Sequence, residues 1–170
     1  MTLQDFVAKY TNVLVDYDKF YGGQCVDLFR QYLKEVLKVP QPRPILGAAD
    51  LWDVIDTATF ERISNSLTNI PQPGDIMIWK KSRALPFGHV GIVHSANVMR
   101  FTSFDQNFPV GTRCHLQTHY YLGSYPVLGW LRLKPKKAGD DVLEMKIRDA
   151  LDRGESPYDR ISRIRAILSE

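Results

Sequence analysis

The chain has 170 residues, 44% of them hydrophobic and 24% charged, with a formal net charge of +3. That suffices for one domain with a core of its own and a short appendage, and it excludes wholesale disorder. Lysine and arginine form no block interleaved with aromatics, and no apolar run reaches the ~18 residues of a membrane helix, so neither a nucleic-acid surface nor a membrane span is expected.

Leu3, Phe6, Val7, Tyr10 and Leu14 recur at helical spacing, with Thr2 placed to cap the helix and Asp5 favourable in its first turn. This amino terminus lacks the basic start and apolar run of a signal peptide. A polar turn over residues 16–23 follows. From Cys25 the set Val26, Phe29, Leu33, Val36 and Leu37 describes a second helix that ends near Val39-Pro40. Residues 40–44 read as a rigid connector, and Ala49, Trp52 and Ile55 as a short third helix.

Pro71-Gln72-Pro73-Gly74 signals a turn, after which the periodicity is that of strands: residues 75–79, 89–95, 100–104 and 128–133. Helices first and strands afterwards predict an α+β fold, an antiparallel sheet packed on the front helices. The composition shifts again at Lys134-Pro135-Lys136-Lys137-Ala138-Gly139, which divides the chain into a domain over 1–134 and a linker with helical tail over 135–170. In the tail, Leu143, Ile147, Ala150 and Leu151 form one stripe. Ser156-Pro157 starts a second helix carrying Ile161, Ile164 and Leu168. A hairpin this short needs its stripes buried against the domain, a partner or a second copy.

Cys25 falls at the predicted start of the second helix, where exposed N–H groups favour the reactive thiolate. The alternative is a small buried core residue. His89, between Gly88 and Gly91, opens a strand and is the candidate base; Asp105 or Asn107, one hairpin later, is placed to orient its second nitrogen. Gln24 can donate to a developing oxyanion beside the Cys25 backbone N–H. With Cys114 as the only other cysteine, free thiols are expected. His94 lies five residues beyond His89, on the opposite face of a strand, which argues against a metal pair. His115 and His119 read as surface histidines, and a zinc hydrolase is disfavoured. Asp16, Asp18 and Asp27 offer hard oxygen ligands around the loop before Cys25, and main-chain oxygens of Phe20 or Gly22 would complete a calcium shell; a solvated acidic loop is the plainer reading.

Gly23-Gln24-Cys25-Val26-Asp27, Pro73-Gly74-Asp75-Ile76 leading into Trp79, Gly88-His89-Val90-Gly91-Ile92-Val93, Asp105-Gln106-Asn107 and Gly129-Trp130-Leu131-Arg132 occur in this order. Together they resemble the CHAP family, the cysteine- and histidine-dependent amidohydrolase/peptidase domains of phage endolysins and bacterial wall hydrolases, over about residues 5–133. The resemblance implies a papain-like fold with Cys25 as nucleophile, His89 as base and Gln24 as oxyanion contributor. It puts Asp105 where family members commonly carry Glu, and Asp16, Asp18, Asp27 and the carbonyls of Phe20 and Gly22 at a calcium site.

What the resemblance implies is hydrolysis of an amide bond in bacterial peptidoglycan, by an N-acetylmuramoyl-L-alanine amidase or a D-alanyl-glycyl-type endopeptidase. Such a protein is made in the host cytoplasm and acts at the cell wall. The competing readings are a non-catalytic wall-binding or virion structural subunit and an intracellular thiol amidase.

Overall fold

The computed structural model describes residues 1–135, 140–152 and 156–169. The chain divides into two compact units, Met1–Lys134 and Pro135–Glu170.

The first unit opens with α1, Leu3–Tyr10. Thr2 and Asp5 satisfy each other's backbone groups: the Asp5 N–H donates to Thr2 Oγ1 (3.1 Å) and the Thr2 N–H to Asp5 Oδ2 (3.0 Å). The helix stops before Leu14, which is 46% exposed, because the chain leaves for a tertiary pairing. Asn12 takes φ 63° and donates to the Cys114 carbonyl (2.8 Å), and the Cys114 N–H donates to Val13 (2.9 Å). Helix α2, Cys25–Tyr32, runs into a wider π-type turn over Leu33–Leu37 and ends at Lys38 in the left-handed region. A short 3-10 turn, Ala48–Asp50, leads into α3, Leu51–Val54.

Six antiparallel strands follow: β1 Phe60–Ser64, β2 Ile76–Trp79, β3 His89–Ala96, β4 Arg100–Asp105, β5 His115–Tyr120 and β6 Val127–Leu133. Their order in the sheet is β1-β6-β2-β3-β4-β5. Four of them lie where the apolar patterning put them. β1 and β5 are additions, each carried by its neighbour: Phe60 pairs with Leu133, and Phe101 with His119. Neither segment has the apolar alternation that would announce it. In β5 the one aliphatic residue, Leu116, is 43% exposed.

The sheet has an apolar cluster on each face. Ile76, Ile78, Val90, Ile92, Phe104 and Leu131 meet Phe6, Leu28, Phe29, Tyr32, Leu33 and Leu51 from the helices. Met77, Trp79, Val93, Phe101, Val127 and Trp130 form the other cluster, with Leu85 and Tyr121 from loops packed against it. Coverage on both sides explains why every residue of β2 is buried. Glycine at 88 lets the Ala48–Asp50 turn approach the sheet: with φ +69° there, a Cβ would lie 2.6 Å from the Ala49 Cβ and from the Trp79 carbonyl oxygen.

The second unit contains α4, Asp140–Asp152, and α5, Pro157–Ile167, which contact each other. Ser156 caps α5 by accepting the Asp159 N–H (3.3 Å). Ala150 is buried, whereas Ile161 and Leu168 of the predicted second stripe are exposed. Residues 136–139 of the predicted linker, and the side chain of Leu143, lie outside the described residues.

Candidate active site

Cys25 is the first residue of α2 and half-buried, with Gln24 as the cap in extended conformation. The Asp27 carboxylate closes this turn by accepting the Gln24 N–H (2.7 Å). His89 begins β3 and is 2% exposed. Its Nε2 donates to Asp105 Oδ1 (3.1 Å), which leaves Nδ1 as the nitrogen free for a second partner. Burial alone would favour the neutral ring. The hydrogen bond to Asp105 and the neighbouring Cys25 thiol outweigh burial and raise the His89 pKa to about 9. The Asp105 carboxyl is fully buried, which opposes its charge, but His119 and His89 together hold its pKa down at about 2.

Of the two candidates to orient His89, Asp105 makes the bond. Asn107 follows the end of β4 with φ 59°, so strand alternation no longer governs its direction. It donates to Gln24 Oε1 (2.8 Å), and its Oδ1 accepts from the Gly111 N–H (2.6 Å). Gln24 in turn donates from Nε2 to the Tyr21 carbonyl (3.0 Å), so one hydrogen of its amide is committed within the loop.

Three residues have a larger part than their sequence context announced. His119, expected at the surface, is 8% exposed and donates from Nε2 to Asp105 Oδ2 (2.7 Å). Ser103 donates to the same oxygen (2.9 Å). Gln106, fully buried, uses its whole amide: Nε2 donates to the carbonyls of Val15 and Gln24 (2.7 Å each), and Oε1 accepts from the Val15 N–H (2.7 Å) and the Cys114 thiol (3.0 Å). It thereby ties the end of β4 to the cap of the helix that carries Cys25. Burial pushes the Cys114 thiol up to about 12, which makes it an inert structural group. Both cysteines are free.

Carboxylate oxygens of Asp16, Asp18 and Asp27 lie within 4.8 Å of one another. The loop that gathers them turns through left-handed residues Lys19, Tyr21 and Gly22, with Phe20 and Gly22 on its exposed crest. Burial, together with the charge of Asp18, raises the Asp27 pKa against the opposing N–H groups of Gln24 and Tyr17. Asp16 Oδ1 is buried and has no hydrogen-bond partner. Three converging carboxylates with one orphaned oxygen fit a hard cation that takes six to eight oxygens.

A helix-borne cysteine beside a strand-borne histidine, with the sheet packed on the front helices, defines the papain-like class of α+β folds. The CHAP domain family model matches residues 15–107, and the chain belongs to that family. Among solved structures it is similar to the wild-type endolysin LysIME-EF1, at 30% identity over 82% of this chain and 67% of that one, with a TM-score of 0.63. Two crystal structures of Ly7917, one with the hydrolysing product of MDP, are similar in fold at 16% identity over 78% of this chain, with TM-scores of 0.60; the match spans 63% and 62% of their length. No curated protein sequence matches the chain.

Proposed function

We propose that the protein is a peptidoglycan hydrolase of the endolysin kind, cleaving an amide bond of the wall peptide with Cys25 as nucleophile. The observation that carries this reading is the single ring of His89 set between the Cys25 thiol and the buried Asp105 carboxylate. In the proposed reaction the Cys25 proton passes to His89, whose ring holds it up to about pH 9. The Cys25 sulfur attacks the amide carbonyl carbon, and the Cys25 N–H with the remaining Gln24 amide hydrogen stabilises the oxyanion. His89 Nδ1 gives its proton to the leaving amine as the C–N bond breaks. The neutral ring then takes a proton from water, whose oxygen attacks the thioester and releases the carboxylate product and Cys25.

The test is zymography on purified walls. Cys25→Ala and His89→Ala should each lose several orders of magnitude, and together no more than either alone, since the pair acts as a unit. Wall clearance by folded Cys25→Ala at the unaltered rate overturns the assignment. Mass spectrometry of the released fragments distinguishes an amidase from an endopeptidase.

The same reading extends to the acidic loop. Asp16, Asp18 and Asp27, with the carbonyls of Phe20 and Gly22, would hold calcium, which neutralises the clustered carboxylates and fixes the loop that leads to Cys25. Calcium at about 100 times its dissociation constant should stabilise the fold by ~2.7 kcal/mol. For a chain of this size that is a rise in Tm of roughly 5–10 °C. Asp16→Asn should abolish the rise; an unchanged Tm in the unsubstituted protein, with no heat on titration, removes calcium from the account.

A further inference from the structure

Asp105 is a carboxylate shared by two histidines. Oδ1 accepts from His89 at 3.1 Å, whereas Oδ2 accepts from His119 at 2.7 Å and from Ser103 Oγ at 2.9 Å. His119 and Ser103 are both buried on the second face of the sheet, and nothing in the attack on an amide requires either of them. The last torsion of an aspartate is broad and two-fold, so a carboxylate held by one oxygen only can turn away from its partner. Here the second oxygen is fixed from two sides. The His119 ring is itself locked, stacked against Phe101 (5.3 Å between centroids, 26° between planes) and Phe108 (5.7 Å, 23°), with the Trp79 edge at 5.0 Å. Trp79 and Phe108 also pack on His89, at 4.9 and 4.6 Å. The same two aromatic side chains therefore set both rings that grip the carboxylate.

We propose that His119 is a positioning residue for the reaction: its Nε2–H, with the Ser103 hydroxyl, anchors Oδ2 of Asp105 so that Oδ1 stays aimed at His89. This rests on the reading of Cys25 and His89 given above. The proton balance is simple. Asp105 remains a carboxylate throughout, His119 stays a donor at Nε2 and transfers nothing, and only His89 exchanges a proton with Cys25, the leaving amine and water.

A His119 that serves packing alone differs in measurable ways. His119→Phe keeps an aromatic ring between Phe101 and Phe108 but removes the donor, and His119→Gln keeps a donor of similar reach. With the melting temperature followed in parallel, His119→Phe should lower kcat about 100-fold, the scale of a roughly 1 Å misplacement, with KM for purified walls unchanged. His119→Gln should recover most of that loss. A folded His119→Phe with the original kcat, or a His119→Gln as slow as His119→Phe, overturns the proposal.

One measurement needs no variant. In the intact protein, ring-nitrogen NMR with 15N-histidine must show His119 protonated at Nε2 at the pH of activity; a ring protonated only at Nδ1 also overturns it. Cys25→Ala separates the two levels of the claim. Activity lost in Cys25→Ala but intact in His119→Phe defeats the role of His119 alone, whereas activity surviving in Cys25→Ala defeats the reading of the whole site.

Discussion

His89 and Asp105 hold opposite charges more firmly than they would in an unfolded chain, and the two ends of the pH scale test them separately. The His89 pKa rises from 6.5 to about 9, so its contribution to stability is fully present below 6.5 and is lost as pH climbs through 9. The Asp105 pKa falls from 3.8 to about 2; its contribution is present above 3.8 and is lost as pH drops towards 2. In the proposed reaction the same His89 proton is delivered to the leaving amine. Wall clearance should therefore hold through neutral pH and decline with an alkaline midpoint near 9, read from kcat/KM across buffers of constant ionic strength. A decline centred near 6.5, the ordinary imidazole value, contradicts the part played by Asp105. Asp105 and Asn107 both qualified as the residue that orients His89, and only the hydrogen bond separates them; Cys25 and His89 were legible because each stands beside turn residues at the edge of an apolar segment. His119 was not. Its burial arises from pairing opposite Phe101, and in sequence it is one polar residue in a polar stretch.

At the scale of elements, helices and strands that bury a regular apolar face announced themselves, and those held by a neighbour did not. α2 and β2, β3, β4 and β6 were readable on that ground. β1 and β5 are edge strands of the sheet whose order follows from hydrogen bonding to β6 and β4, and no local pattern encodes it. The end of α1 was misplaced for the same reason: residues 12–13 pair with Cys114, a contact about a hundred positions away. β3 and β4 also meet the site through what β3 lacks. A Cβ at Gly91 would collide with Asp105 Oδ1 and lie 3.3 Å from the Ser103 Cβ. Gly91→Ala should thus overpack this interface, at a cost of roughly 1–3 kcal/mol, and displace the carboxylate from His89. The expected signature is a modest fall in Tm with a disproportionate loss of clearance. Unchanged activity at a lowered Tm would show that β3 and β4 can separate without moving Asp105.

On the scale of the whole chain, the division at Lys134 has an energetic basis on its amino-terminal side. Both apolar clusters of the first unit are built from residues 3–131. The unit is then closed off by Lys134, whose N–H donates to the Thr59 carbonyl (2.9 Å) and whose Nζ donates to that of Thr57 (2.7 Å). Cys25, His89, Asp105, His119 and the acidic loop all precede this point. A chain ending at Pro135 should accordingly fold, cleave soluble wall fragments with unaltered kcat, and show the calcium-dependent rise in Tm proposed for the full chain. Its Tm should move by no more than about 2–4 °C, the equivalent of ~1 kcal/mol at this size. Clearance of intact walls is the separate readout: α4 and α5 leave Met145, Ile161 and Leu168 exposed, and loss of wall binding with fragment cleavage intact would assign that surface to attachment. A shortened chain that fails to fold would instead show that the core built from residues 3–131 is not sufficient by itself.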